Sequence, residues 1–228
     1  APRGRGRGLV PVDPAARGGP LMRLTVLGHG PAPADAATPA SGLLLESGST
    51  RLLLDCGQGV IPILQRRMDP RELDAIVVGH MHADHYLDVV GLRYLFPWMG
   101  RPSRRLPLWL PPGGAPRLEA LASAISERPT FFEDSFEVAE YGGHDDERPF
   151  EIGDLRLAPF HSRHYVPAWG MTVTDREGRR LVYAGDTGPH DGLVARAAGA
   201  DLFVCEAGLR DAAEDDGARG HMTAAETL

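Results

Sequence analysis

The run His80-Met81-His82-Ala83-Asp84-His85 places three imidazoles and a carboxylate within six residues. Imidazole suits zinc and neighbouring divalent transition metals, and a carboxylate can hold a second ion or bridge two, so this spacing points to metal chemistry. Histidines also gather as surface polar groups, but neither helical nor strand packing requires four such side chains together, and the metal reading is preferred. The run follows Leu73-Asp74-Ala75-Ile76-Val77-Val78-Gly79, a β-branched, apolar stretch that reads as a buried strand ending in glycine. The ligands are therefore expected where a strand gives way to a loop.

Further ligands should lie on other loops at strand ends. Tyr183-Ala184-Gly185-Asp186-Thr187-Gly188 offers Asp186, which fits a bridging carboxylate beside the histidine loop and, without that loop, would read as an ordinary turn aspartate. His161 and His164 flank another strand end, and spacing does not choose between them.

The elements that must position these groups can be read along the chain. Residues 1–21, with Arg-Gly repeats and scattered proline, lack apolar periodicity and are expected to form a flexible extension, with one domain over 22–228. Leu24 to Leu27, Gly42 to Glu46 and Arg51 to Leu54 read as strands, and Gln58 to Arg67 as a helix closed by Asp69-Pro70. After the histidine loop, Leu87 to Phe96 has helical spacing, Leu106 to Leu110 reads as a strand, and Pro116 to Ser126 as a helix. Residues 129–150 give no clear pattern. Strands resume at Leu155 to Pro159, Gly170 to Thr174, Arg180 to Ala184 and Leu202 to Cys205, with a helix over Gly192 to Ala198. Strands alternating with helices predict a layered α/β architecture.

With 228 residues, 43% of them hydrophobic, the chain can bury a substantial core. No apolar run approaches the roughly 20 residues of a membrane-spanning helix, and the N-terminus lacks the apolar core of a secretory signal, so a cytoplasmic location without membrane partners is expected. Cys56 and Cys205 are too few for a disulfide scaffold and read as buried free thiols. The net charge of −7 argues against an extended nucleic-acid footprint, while a small phosphate ester stays admissible because bound metal adds local positive charge. Every basic side chain is arginine, and Arg101-Pro102-Ser103-Arg104-Arg105 reads as a solvated loop rather than a phosphate contact.

The ordered set Leu53-Leu54-Asp55-Cys56-Gly57, the histidine run, His164-Tyr165-Val166-Pro167-Ala168-Trp169-Gly170 and Ala184-Gly185-Asp186-Thr187 resembles the metallo-β-lactamase superfamily, and within it the RNase Z and related phosphodiesterase branch. The resemblance implies a four-layer αβ/βα sandwich with a two-metal site at one edge, between the sheets. It implies that His80, His82 and His164 bind one divalent ion, that Asp84 and His85 bind a second, and that Asp186 bridges. The ions would be zinc or manganese. His161 then falls outside the ligand set, and Asp55 supports the site by hydrogen bonding. Cys205-Glu206-Ala207 and Gly220-His221-Met222-Thr223-Ala224-Ala225-Glu226 also resemble this branch, which implies that His221 is a catalytic proton donor oriented by Glu206; Asp84 is counted with the catalytic residues as well as the ligands.

The chain departs from the family pattern in two places. The pattern continues past this point to a strand ending in another ligand histidine, so a chain ending at Leu228 is expected to lack the C-terminal part of the fold. RNase Z enzymes also carry an arm between the ligand histidine and the bridging aspartate, whereas only Tyr165 to Gly185 lies there. The expectation is a metal-dependent phosphodiesterase for a small diester such as a cyclic nucleotide, the resemblance also suggesting a homodimer. The alternatives are acyl hydrolysis of a lactone, thioester or β-lactam, and a non-catalytic metal-binding protein with an incomplete site.

Overall fold

The computed structural model describes residues 22–32, 37–96, 104–142, 147–215, 217 and 219–227. The expected N-terminal extension and the first three residues of the arginine-rich loop lie outside them. Among the described residues no helix is long and apolar enough to cross a membrane.

Consecutive leucines dictate the centre of the fold. In the strands β2 (Gly42–Ser47) and β3 (Thr50–Leu54), side chains alternate between faces, yet Leu43, Leu44, Leu45 and Leu52, Leu53, Leu54 are all buried. A sheet covered on both faces is the arrangement that satisfies this. Antiparallel pairing sets Leu43 opposite Leu54 and Leu45 opposite Leu52, and these four face a second sheet. Leu44 and its partner Leu53 face the opposite way, toward helices.

The first sheet has the order β1-β2-β3-β4-β5-β6, adding β1 (Arg23–Gly28), β4 (Ala75–Val77), β5 (Leu106–Leu110) and β6 (Phe136–Glu140). The pairs from β3 to β6 are parallel. The second sheet has the order β11-β10-β9-β8-β7, built from β7 (Phe150–Ile152), β8 (Leu155–Ser162), β9 (Ala168–Thr174), β10 (Arg180–Tyr183) and β11 (Leu202–Val204). Trp169, Met171 and Val173 of β9 meet the inward leucines of the first sheet. Helices α1 (Val60–Gln65), α3 (Val89–Leu92) and α4 (Gly114–Ile125) cover the outer face of the first sheet, α2 (Ala83–Tyr86) lies at its edge, and α5 (Asp191–Ala197) covers the second. Helix, sheet, sheet, helix is the four-layer α/β sandwich expected.

Several elements differ from the sequence reading. Residues 129–150 contain β6 and part of β7; β6 is an edge strand whose glutamates face solvent, which hid its alternation. The helix expected from Leu87 to Phe96 is the short α3 followed by a tighter turn at Arg93–Leu95, because Phe96, preceding proline, is extended. Cys56 is buried as expected, whereas Cys205 is partly exposed.

The turn after β3 is welded to the histidine loop. Ser41 N donates to the Asp84 carbonyl at 3.1 Å, Cys56 N to that of His85 at 2.7 Å, and Asp88 N to that of Cys56 at 3.0 Å. Gly57 makes this approach sterically feasible: a Cβ there would lie 1.9 Å from the Asp84 carbonyl oxygen. Gly57→Ala is expected to destabilise the fold by about 2–3 kcal/mol, as overpacking against backbone does. Scanning calorimetry would show a lowered midpoint; an unchanged one would contradict this packing.

Candidate metal centre

The histidine loop leaves the first sheet immediately after β4 and is caught by the second. Trp169 N donates to the Gly79 carbonyl at 3.0 Å, and His80 bridges to Ala168, so the two sheets touch at this edge. His164 lies between β8 and β9, Asp186 follows β10, and Glu206 follows β11. Chain segments far apart in sequence thus bring their ends to one cleft of about 880 Å³.

Three imidazole nitrogens converge there. His82 Nδ1 is 3.0 Å from His80 Nε2 and 3.1 Å from His164 Nε2. The His164 Nδ1–H donates to the Gly220 carbonyl at 2.9 Å, which fixes the tautomer and leaves Nε2 as a lone pair directed at the other two rings. Burial and the neighbouring His85 push His80 down to about 2, and burial with His164 lowers His82. Ring nitrogens whose lone pairs converge in this way lack protons enough to bond one another. A tetrahedral ion about 2.0–2.1 Å from each nitrogen separates them by about 3.3 Å, close to the spacing observed, so this donor set fits a zinc-like cation.

A second group abuts the first. His85 Nε2 is 3.4 Å from Asp186 Oδ2 and 3.9 Å from Asp84 Oδ2, and Asp186 Oδ2 is 3.9 Å from His80 Nε2 and 4.0 Å from His164 Nε2. Asp186 therefore stands between the two groups. Burial acts to raise its carboxyl, but the hydrogen bond and charge of His85 outweigh burial and hold it below the usual carboxylate range. Burial likewise acts to lower His85, and Asp55 with Asp186 reverses that and holds it well above its ordinary value.

Asp55 governs this side of the site. Its carboxylate is buried and accepts from Gly79 N at 2.8 Å, His85 Nδ1 at 2.9 Å, the Tyr183 hydroxyl at 2.5 Å and Ser41 Oγ at 3.3 Å. With Nδ1–H given to Asp55, His85 presents Nε2 to the cleft. Among the described residues Asp55 alone is a non-glycine at positive φ, 60°. A left-handed backbone at a non-glycine residue costs on the order of 1–3 kcal/mol and persists where its surroundings fix it.

At the far side, Glu206 Oε1 accepts from His221 Nδ1 at 2.7 Å and from Thr187 N at 2.9 Å, while Oε2 accepts from Gly208 N at 2.9 Å. The hydrogen bond to Glu206 raises the His221 imidazole, burial opposing it. One ring nitrogen of His221 lies within 4.8 Å of the ligand atoms of His164 and Asp186.

The structure thus lines one cleft with His82, Asp84, His85, Asp186, Glu206 and His221, and groups His80 and His164 with His82 beside it. His161 is exposed against the Trp169 ring, 5.1 Å between centroids, away from the cluster. Sequence reasoning passed over Tyr183 and Ser41, which share Asp55, and Tyr165, whose ring lies 4.9 Å from His164 and 5.5 Å from His221. Their adjacency to recognised motifs was the one available signal.

The family model for the beta-lactamase superfamily domain matches residues 50–228. An uncharacterised protein of Mycobacterium tuberculosis is 37% identical over 191 residues, covering 82% of this chain and 67% of that protein. A ribonuclease Z of Mycobacterium bovis is 28% identical over 204 residues, covering 81% of this chain and 69% of that enzyme. The crystal structure of the metallo-beta-lactamase fold protein YhfI from Bacillus subtilis superposes with a TM-score of 0.75 at 24% identity, covering 90% of this chain and 79% of that one.

Asp55→Asn keeps the shape of the hub and removes its charge. It is expected to weaken metal affinity about 10- to 100-fold, as loss of a partner that orients a ligand imidazole does. Competition against a chromophoric chelator measures this; an unchanged affinity would show that Asp55 does not control His85.

Proposed function

The chain belongs to the beta-lactamase superfamily, and from that premise we propose that it is a two-metal phosphodiesterase acting on small diesters. The observation that carries this reading is the His221–Glu206 pair beside the ligand cluster. His80, His82 and His164 would hold one ion and Asp84 and His85 the other, with Asp186 shared. Bound divalent ions supply Lewis acidity, lowering the pKa of a water molecule and neutralising charge on phosphoryl oxygens.

The chain's own groups supply the rest. Hydrolysis adds water oxygen to phosphorus and breaks one P–O ester bond, and the departing alkoxide needs a proton. His221, with Nδ1–H on Glu206, has Nε2 to deliver it, and the hydrogen bond to Glu206 raises the affinity of the ring for a proton. Glu206 is itself held by two backbone N–H groups, so the imidazole is aimed by a fixed carboxylate. Asp55 keeps His85 in the tautomer that presents Nε2 inward.

Small size of the substrate is supported by the hairpin between His164 and Asp186. That segment is consumed by β9, β10 and a tight turn in which Gly178 N donates to the Asp175 carbonyl at 3.0 Å. It offers no projecting arm to grip a folded RNA.

The protein is expected to hydrolyse bis(p-nitrophenyl) phosphate, to lose the rate on chelation and to regain it with zinc or manganese; a rate indifferent to chelation would refute the reading. His221→Ala is expected to lower kcat roughly 10²- to 10⁴-fold on a diester with an alkoxide leaving group. The loss should be smaller with p-nitrophenolate, which leaves without a proton, and metal content should be unchanged. Equal losses on both substrates would remove His221 from the proton-donor role.

A further inference from the structure

One part of the cleft wall is built by the end of β1. Gly28 pairs with Gly42, and Gly30 N donates to the Pro39 carbonyl at 2.8 Å, so the chain from 28 to 30 lies flat on residues 38–42. A Cβ at Gly28 would stand 2.1 Å from the Ala40 carbonyl oxygen, and one at Gly30 2.6 Å from that of Thr38. Both glycines therefore turn their side-chain positions toward that layer. In an extended segment the residue between them points the other way, and His29 is exposed and lines the cleft. Residues 38–42 are in turn bonded to the histidine loop through Ser41 N and the Asp84 carbonyl, so His29 lines the same cleft as Asp84 and His85.

The charges around it are one-sided. The chain contains no lysine, and among the described residues lining the cleft there is no arginine, whereas Asp84, Asp186 and Glu206 are all present. Away from the metal cluster the lining is apolar or small, with Pro31, Ala32, Leu43, Val204 and Ala207. A second phosphate on the substrate would meet no arginine among those described lining residues to compensate its desolvation. A flat uncharged heterocycle would find apolar walls and one imidazole able to stack and hydrogen-bond.

We propose that the cleft takes a diester with a single phosphate and an uncharged heterocyclic remainder, and that His29 is the specificity-determining contact to that remainder. This rests on the phosphodiesterase reading and narrows its substrate to a small diester carrying no phosphate besides the scissile one. The class includes cyclic nucleotides and excludes polyphosphorylated or polynucleotide substrates.

The test compares adenosine 3′,5′-cyclic monophosphate with the corresponding cyclic ribose phosphate lacking the base, in the metal-loaded wild type and His29→Ala. His29 is exposed, so the variant should melt like the wild type. His29→Ala is expected to raise KM for the adenosine ester about tenfold with kcat within about twofold, and to leave the abasic ester unchanged, the pattern of one lost contact. Calorimetric binding of the adenosine ester to metal-loaded His221→Ala, with and without His29→Ala, should show the same tenfold change independently of turnover. The linear dinucleotide ApA should be cleaved at least about tenfold faster, by kcat/KM, than its 5′-phosphorylated form. Equal effects of His29→Ala on the two cyclic esters, an unchanged dissociation constant, or full tolerance of the extra phosphate would each overturn the inference. Failure of the parent reading is distinguishable, since it appears as no chelator-sensitive wild-type turnover of bis(p-nitrophenyl) phosphate.

Discussion

The carboxylate of Asp55 is the constraint on which the site depends. It is a charge buried between two sheets, and such a charge is tolerated only when hydrogen bonds replace the water it has lost. Its donors come from the ends of four separate segments: Ser41 before β2, Gly79 after β4, His85 in α2 and Tyr183 at the end of β10. Each donor is thereby held relative to the others, and three of the segments carry or lead into residues of the candidate metal centre. The cost of burying Asp55 and of its left-handed backbone is offset by the same bonds that give the site its geometry.

This hub works because the sheets are already joined at the adjacent edge. The hydrogen bond from Trp169 N to the Gly79 carbonyl brings β9 against the exit of β4, with Trp169 packed in the intersheet core. The Tyr141 hydroxyl donates to the Val78 carbonyl at 2.8 Å from the same interior, which occupies the polar backbone freed as β4 leaves the sheet. The ligands thus rest on strand ends whose other faces are close-packed, and shifting one ligand would require moving core leucines. Rigid placement of this kind holds the rings of His80, His82 and His164 convergent.

Legibility in the sequence followed the range of the interactions involved. The double-sided leucine runs of β2 and β3 and the histidine loop after β4 are local patterns, and both the layered fold and the convergence of His80, His82, His85 and Asp186 could be anticipated from them together with the family resemblance. The partners of Asp55 could not. Tyr183 is separated from it by 128 residues, and no local periodicity encodes a hydroxyl reaching across two sheets. Likewise β6 was hidden by its exposed glutamates, and His29 by the absence of any motif; its direction becomes evident only from what a Cβ on either neighbouring glycine would strike.

His221 is held differently from the histidines of the candidate metal centre. His221 belongs to no strand of either sheet; its segment makes one isolated bridge, between Leu209 and Thr223. Arg219 donates to the His221 carbonyl at 3.1 Å and pairs with Glu226 at 2.7 Å, while Glu226 also accepts from Thr223 N at 2.9 Å. Partly exposed ion pairs contribute little by themselves, so this clasp cannot be the main restraint. Closer packing comes from Gly220, where a Cβ would lie 2.5 Å from the Tyr165 ring, and from Gly188, where one would lie 2.2 Å from the Arg219 carbonyl oxygen. Two glycines therefore let a segment outside the sheets approach the metal cluster closely enough for Gly220 to fix the His164 tautomer. The two parts of the candidate site are coupled through that carbonyl, because the backbone that positions His221 also orients the His164 ring.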